Sequence, residues 1–216
     1  MKQIKYILIS IIALVGINTI NAQQDPMFSQ YMFNTLSLNP AYAGSSDLIS
    51  ATAITRHQWI GIKGAPQTQT LAIHSPIKHQ IGMGVSVIRD QAGPVNNLSA
   101  QADISYHVNL TQKSKLYFGL MGGVNNFNLG LTDVENVNPE DVSFFQNTNT
   151  YKPVFGFGIY YRHPNAYIGL SAPNLMETNY NINTPSLLQH KRHYFLIAGY
   201  VKDISKNLKQ IGRAHV

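Results

Sequence analysis

"LSAQADISYHV", Leu98 to Val108, alternates without a break. Leu98, Ala100, Ala102, Ile104, Tyr106 and Val108 are apolar or amphipathic, and Ser99, Gln101, Asp103, Ser105 and His107 between them are polar. A period of two belongs to an extended strand, whose successive side chains leave the pleat on opposite sides. Its two faces therefore meet different surroundings, and the fold turns on what those are. At about 3.3 Å per residue and a tilt near 40°, this stretch covers roughly 28 Å along a barrel axis. That span matches a hydrocarbon layer, whereas strands of soluble proteins average about five to six residues. The reading places Ile104 and its apolar neighbours against lipid, with Gln101, Asp103 and His107 lining an interior. A secreted β-sandwich with its apolar face on a core is the competing architecture, and strand length argues against it.

Similar segments recur along the chain. "IGMGVSVIRD" sets Ile81, Met83, Val85 and Val87 against Gly82, Gly84 and Ser86. "KLYFGLMGGVNN" sets Leu116, Phe118, Leu120 and Val124 against Lys115, Tyr117, Gly119 and Gly123. "PVFGFGIYYR" sets Phe155, Phe157, Ile159 and Tyr161 against Val154, Gly156, Gly158 and Tyr160. Leu48 to Trp59, Pro66 to Ser75, "AYIGLSA" and "RHYFLIAGYVKD" complete about eight strands, the last with both faces apolar enough to leave its orientation open. Turn signals such as "DQAGPVNN", "TQKSK" and "RHPNA" separate them, with longer polar connections at Thr132 to Tyr151 and Asn174 to His190. Short turns alternating with long loops predict an all-β fold: a transmembrane, antiparallel, up-and-down β-barrel, incomplete in this chain.

Composition agrees. Among 216 residues only 12% are charged, against about 25% in an ordinary soluble domain. Lysine or arginine on a lipid face costs roughly 2 to 4 kcal/mol at midplane, while Ser, Gln and Gly facing a lumen cost little. The net charge of +6 is scattered and partly lies in the first residues, so nucleic acid is not a partner the sequence calls for. The absence of cysteine excludes disulfides, thiolate metal sites and a thiol nucleophile. "MKQIKYILISIIALVGINTINAQQ" has the lysine-bearing start, short apolar run and small Ala22 of a secretory leader. Its apolar run is shorter than the roughly 20 residues needed to span a bilayer.

Catalytic arrangements are weak. His190 and His193 of "HKRH" would face opposite sides of a strand, which argues against shared metal coordination and for a basic strand start at the headgroups. His57, His74, His79, His107 and His163 lack zinc-like spacing, and there is no G-x-S-x-G elbow, P-loop or dinucleotide fingerprint. The reading is of a non-enzymatic protein with no cofactor and no metal. Tyr151, Tyr160, Tyr161 and Tyr167 are read as an interfacial girdle.

The stretch ahead of the first strand is the most distinctive. "DPMFSQYMFN" follows the leader, then "NPAYAG", "RHQWIGIKGAPQTQTL", "IGMGVSVIRDQAGP" and "YIGLSAPNL". In this ordered set the chain resembles the PorP/SprF family, outer-membrane proteins of the type IX secretion and gliding machinery. The resemblance implies a barrel that supports export or surface attachment of cargo, including gliding adhesins. It also implies, as partners, periplasmic components of the secretion motor and the C-terminal domains of cargo, besides outer-membrane lipid. It supplies no catalytic positions.

The expected organisation is a signal peptide over residues 1–22, a periplasmic N-terminal segment over 23–47 and a partial barrel over 48–209. Residues 210–216, "QIGRAHV", are set aside, because one codon choice for Ile211 to Val216 reproduces a common sequencing adapter, and re-sequencing the locus decides the point. The family would continue through further strands. Asp25, Phe28, Tyr31, Phe33, Asn39 and Pro40 are the candidate contacts of the N-terminal segment, either plugging the lumen or docking a partner, with plugging the preferred reading. Arg56 and Trp59 are expected either to anchor at the interface or to brace that segment. The alternative function is a small-solute, porin-like channel, and a third is a soluble secreted binding domain.

Overall fold

Alternation of side chains along long strands organises the molecule from Ser50 onward. In the computed structural model the described residues are 33–130, 147–176, 178–179, 189–190, 192–205 and 208–215. Asp25, Phe28 and Tyr31 lie outside them, as does most of the 132–151 connection. The strands are β1 (Ser50–His57), β2 (Gln67–Lys78), β3 (Ile81–Ala92), β4 (Val95–Asn109), β5 (Lys115–Leu129) and β6 (Thr148–His163). They continue with β7 (Ala166–Ala172), β8 (Thr178–Asn179), β9 (Gln189–His190), β10 (Phe195–Ser205) and β11 (Leu208–His215). Among the described residues, nine of them form one antiparallel sheet in the order β1-β2-β3-β4-β5-β6-β7-β10-β11, open at β1 and β11, and β8 pairs with β9. Every neighbour in the sheet is also the next of these nine in the chain, which is the up-and-down topology predicted.

Several details differ from the sequence reading. The ninth strand is β11, which takes in most of the stretch set aside above and pairs with β10 from Ile197↔His215 to Ser205↔Leu208. The connection from Asn174 to His190 contains the β8–β9 pair. "HKRH" does not begin a strand: His190 ends β9 and β10 begins only at Phe195. β6 starts at Thr148, five residues before the Pro153 at which the alternating pattern was read.

Registers convert the alternation into two surfaces. Outward rows run Val108–Leu116–Tyr161–Ile168–Ala198, then Ile81–Tyr106–Phe118–Ile159–Leu170–Leu196, then Met83–Ile104–Leu120–Phe157–Ala172. The next two are Ile73–Val85–Ala102–Gly122–Phe155 and Ala53–Leu71–Val87–Ala100–Val124–Pro153. Beyond them the surface turns polar, first through a mixed row of Thr55, Gln69, Arg89, Leu98, Asn126 and Tyr151, then through His57, Gln67, Gln91, Asn96, Asn128 and Asn149. Ile104, Leu120, Phe155 and Leu170 are exposed although nothing polar relieves them. So broad an apolar surface is rare on a soluble monomer, and its height is that of the lipid-facing band of a membrane barrel, about 25 Å. Among the described residues no helix is long and apolar enough to cross a membrane, a test that strands do not enter.

The inward surface is buried. It carries Ser86, Asp103, Ser105, Tyr117, Met121, Asn125, Tyr160, Ser171 and Ile197. Curvature follows from Tyr42, whose ring centroid lies 5.3 Å from His74 on β2 and 5.4 Å from Tyr160 on β6. Those two rings are therefore within about 11 Å of each other, whereas four strand spacings on a flat sheet span about 19 Å. Of the four tyrosines read as a girdle, Tyr151 and Tyr161 point outward, but Tyr160 and Tyr167 face inward and pack together, 5.9 Å between centroids. Parity along the strand decides this, since Tyr160 shares a face with Gly156 and Gly158.

Candidate functional site

Residues 34–45 form a strap on the concave face. Two short 3-10 turns, Thr35–Ser37 and Pro40–Tyr42, shape it. Asn39 caps the second: its side-chain oxygen accepts from Ala41 N at 2.9 Å, and Pro40 supplies the fixed φ of a first helical position. Gly44, at φ +65°, then turns the chain toward the sheet mouth where L side chains rarely fit. Leu36, Leu38, Asn39, Ala41, Ala43 and Ser45 are buried, Asn39 and both alanines completely.

The seat of the strap is a single level of the hydrogen-bond register. Gly82, Ser105, Gly119, Gly158 and Ser171 are in-register partners across β3, β4, β5, β6 and β7. All face inward, and each meets the strap. A Cβ on Gly82 would fall 2.4 Å from Ala43 O, one on Gly119 2.1 Å from Ala41 N, and one on Gly158 2.1 Å from Asn39 Oδ1. The serines donate instead: Ser105 Oγ to Ala43 O at 2.6 Å and Ser171 Oγ to Leu38 O at 2.7 Å. Asn39 Nδ2 donates to Ile159 O at 3.1 Å, and Gly44 N donates to His74 Nδ1 at 3.1 Å. Glycine where backbone must approach and hydroxyl where a buried carbonyl needs a donor together make a cradle for main chain.

One level toward the mouth the lining becomes aromatic. His107, Tyr117 and Tyr160 are in register, with ring centroids 4.9 Å and 6.1 Å apart, and Leu38, Ala41 and Ile197 complete this cluster. At the mouth, Asp47 meets Lys115 at 3.1 Å and Arg162 at 3.7 Å. These ions are substantially exposed, so they orient the connector and contribute little stability. One level the other way, Asp103 is 2% exposed, and neither of its carboxylate oxygens has a hydrogen-bond partner among the described residues. Buried side-chain oxygens of Asn97 and Asn125 share that condition.

An open antiparallel sheet with an apolar outer band and an inner cradle filled by the N-terminal strap is thus the setting for the comparison with known families. The family described as type IX secretion system membrane protein PorP/SprF matches residues 20–213. The chain belongs to that family. Neither a curated protein nor a solved structure matches it. The PorP/SprF match covers the strap, all nine strands of the sheet except the last residues of β11, and the stretch up to Arg213.

Within this PorP/SprF chain, Asp25, Phe28 and Tyr31 being outside the described residues, the other site residues expected from sequence divide into three groups. Asn39 and Pro40 lie at the centre of the cradle. Phe33 stands at the strap's start and is 67% exposed. Arg56 and Trp59 lie at the opposite end from the mouth: Arg56 pairs with Thr68 in the β1–β2 ladder, and Trp59, 68% exposed at φ +47°, sits in the β1–β2 turn. The structure does not bring these two to the strap. Sequence reasoning missed the cradle itself, because its members are spread over Gly82 to Ser171 and only the register brings them level.

Proposed function

We propose that this chain is a non-enzymatic outer-membrane component of the type IX secretion system, supporting export or surface attachment of cargo such as gliding adhesins. In this reading the leader delivers the chain across the inner membrane, and the mouth bearing Asp47 faces the periplasm. Short turns lie at that end, and at the other every connection but the β3–β4 turn is longer, as in outer-membrane barrels. Periplasmic motor proteins and the C-terminal domains of cargo are the partners that follow from the family.

The observation that carries the reading is the seated strap. A porin-like channel needs an open lumen, whereas here the chain's own backbone fills the narrow level of Gly119 and Gly158. Asp25, Phe28 and Tyr31 lie outside the described residues, and this reading assigns them to the same segment's role from sequence alone. The test is a bilayer conductance measurement on the full-length protein beside a cargo-export assay in cells. Little ion flux together with cargo lost on deletion supports the secretion reading, and steady conductance with cargo export intact rejects it in favour of the channel. Phe28→Ala with Tyr31→Ala separates the two roles of the segment. Impaired barrel assembly marks a plug, and normal barrel yield with lost export marks a docking site.

A further inference from the structure

Past the apolar band and its mixed border row, one level of the register is made of amides. Gln67, Gln91, Asn96, Asn128 and Asn149 are consecutive partners across β2, β3, β4, β5 and β6, all on the outward face, and His57 of β1 ends the row. On a flat sheet four strand spacings carry such a row over about 19 Å. Two of the five bond to the border row rather than to each other: Asn149 Oδ1 accepts from Asn126 Nδ2 at 2.6 Å, and Asn96 Oδ1 accepts from Arg89 Nε at 3.4 Å. Gln67, Gln91 and Asn149 are exposed. Strand propensity does not explain these residues. Asparagine is depleted in strands, where threonine or valine fits the pleat better, and a local preference overridden in this way belongs to functional positions.

We propose, on the reading that the band meets lipid, that this amide row holds the sugar headgroup of a glycolipid whose acyl chains cover the band beneath it. A lipid whose chains lie on the exposed Val87, Val124 and Phe155 carries its headgroup past this end of the band. The amide row stands four residues beyond Val124, at Asn128. At about 3.3 Å per residue and a tilt near 40° that is roughly 10 Å along the axis. The polar layer of a phospholipid leaflet is only about 5 to 8 Å deep, so the row reaches a level where a headgroup has to continue in sugar. An amide sets a donor beside an acceptor, which is what sugar hydroxyls require. Tyr151, in register with Asn126 and 68% exposed, adds a ring face on which a pyranose can stack. Phosphate is served poorly here. Arg89 is the only lysine or arginine in the two polar rows, and its Nε is engaged by Asn96, while Lys63 and Arg192 lie in the connections. At the mouth end the bases stand in the strands themselves, with Lys78 and Lys202 exposed at the ends of β2 and β10, which suits phosphate headgroups. The two rims of one apolar band thus address two headgroup chemistries.

The test uses the full-length protein in vesicles holding equal amounts of digalactosyldiacylglycerol and phosphatidylglycerol with the same acyl chains, so that the two lipids differ only in headgroup. Lipid retained per protein after brief detergent extraction is counted by native mass spectrometry. The expected result is more galactolipid than phosphatidylglycerol on the unaltered protein. Asn96→Thr together with Asn128→Thr lowers the galactolipid count about tenfold, as two modest hydrogen bonds are lost. Threonine suits an exposed strand better than asparagine, so this variant keeps the heat-dependent gel migration of a folded barrel. Gln67→Thr with Gln91→Thr makes the same change on β2 and β3 and serves where the first pair does not fold. Lys202→Gln, at the other rim, leaves the galactolipid count unchanged. Equal retention of the two lipids, a preference for phosphatidylglycerol, or a galactolipid count untouched by the amide substitutions overturns the inference and leaves the lipid-facing band standing. Retention of neither lipid removes the membrane reading itself, and the inference with it.

Discussion

Adding one methyl group at Gly119 tests the cradle. A Cβ there would lie 2.1 Å from Ala41 N and 2.4 Å from both Ala41 Cα and Pro40 C, while ordinary contact begins at 3.4 Å. All three atoms are backbone, so no rotamer change relieves the overlap, and the strap has to retreat by more than about 1 Å. The flanking hydrogen bonds, Ser105 to Ala43 at 2.6 Å and Ser171 to Leu38 at 2.7 Å, do not keep their geometry through such a shift. Overpacking costs about 1 to 3 kcal/mol, and each weakened hydrogen bond about 1 kcal/mol more. A loss of about 3 kcal/mol lowers the ratio of seated to lifted strap on the order of 100-fold. The assay is maleimide labelling of Ser45→Cys with and without Gly119→Ala. The control is Gly122→Ala, three residues along the same strand on the outer face, where an added Cβ meets nothing within 4 Å. Alanine suits a strand better than glycine by roughly 0.5 to 1 kcal/mol, so the control leaves the strap seated and the sheet slightly firmer. Equal labelling in the Gly119→Ala and Gly122→Ala proteins would refute the cradle.

Other substitutions probe different links. Ser105→Ala and Ser171→Ala each leave a buried strap carbonyl without its donor, at about 1 to 3 kcal/mol, so each raises Ser45→Cys labelling roughly 5- to 100-fold with the heat-dependent gel shift retained. Ile104→Arg puts a guanidinium in the apolar band and costs about 2 to 4 kcal/mol in folded yield in lipid vesicles, whereas Gln101→Arg, facing inward, costs much less. Equal yields would mean that the outer face does not meet lipid. Asp47→Ala changes strap seating by no more than about 1 kcal/mol, and only at low salt, because both of its ion pairs are exposed. A large, salt-insensitive rise in labelling would contradict that.

The faces of the strands were legible in the sequence because alternation is local. Leu98 to Val108 declares its inside and outside within one strand, and the structure keeps that assignment, with Ile104 out and Asp103 in. Asn39 and Pro40 were legible as candidate contacts within the NPAYAG stretch that carries the family resemblance, and both are buried in the cradle. What receives them was not legible. Gly82, Ser105, Gly119, Gly158 and Ser171 become neighbours only through four successive registers, and a single sequence does not carry register. Tyr160 and Tyr161 show the same limit in small compass: two adjacent tyrosines have identical propensity, and only the parity of the strand sends one to the strap and the other outward.

That the whole seat occupies one level of the ladder bears on the order of assembly. A slip of one residue in any hairpin between β3 and β7 would bring an outward residue such as Met83, Ile104 or Phe118 into the row and abolish the fit. The part of the chain made first can therefore dock only after later strands have paired correctly. Its docking then amounts to an inspection of the finished wall by the chain's own leading end.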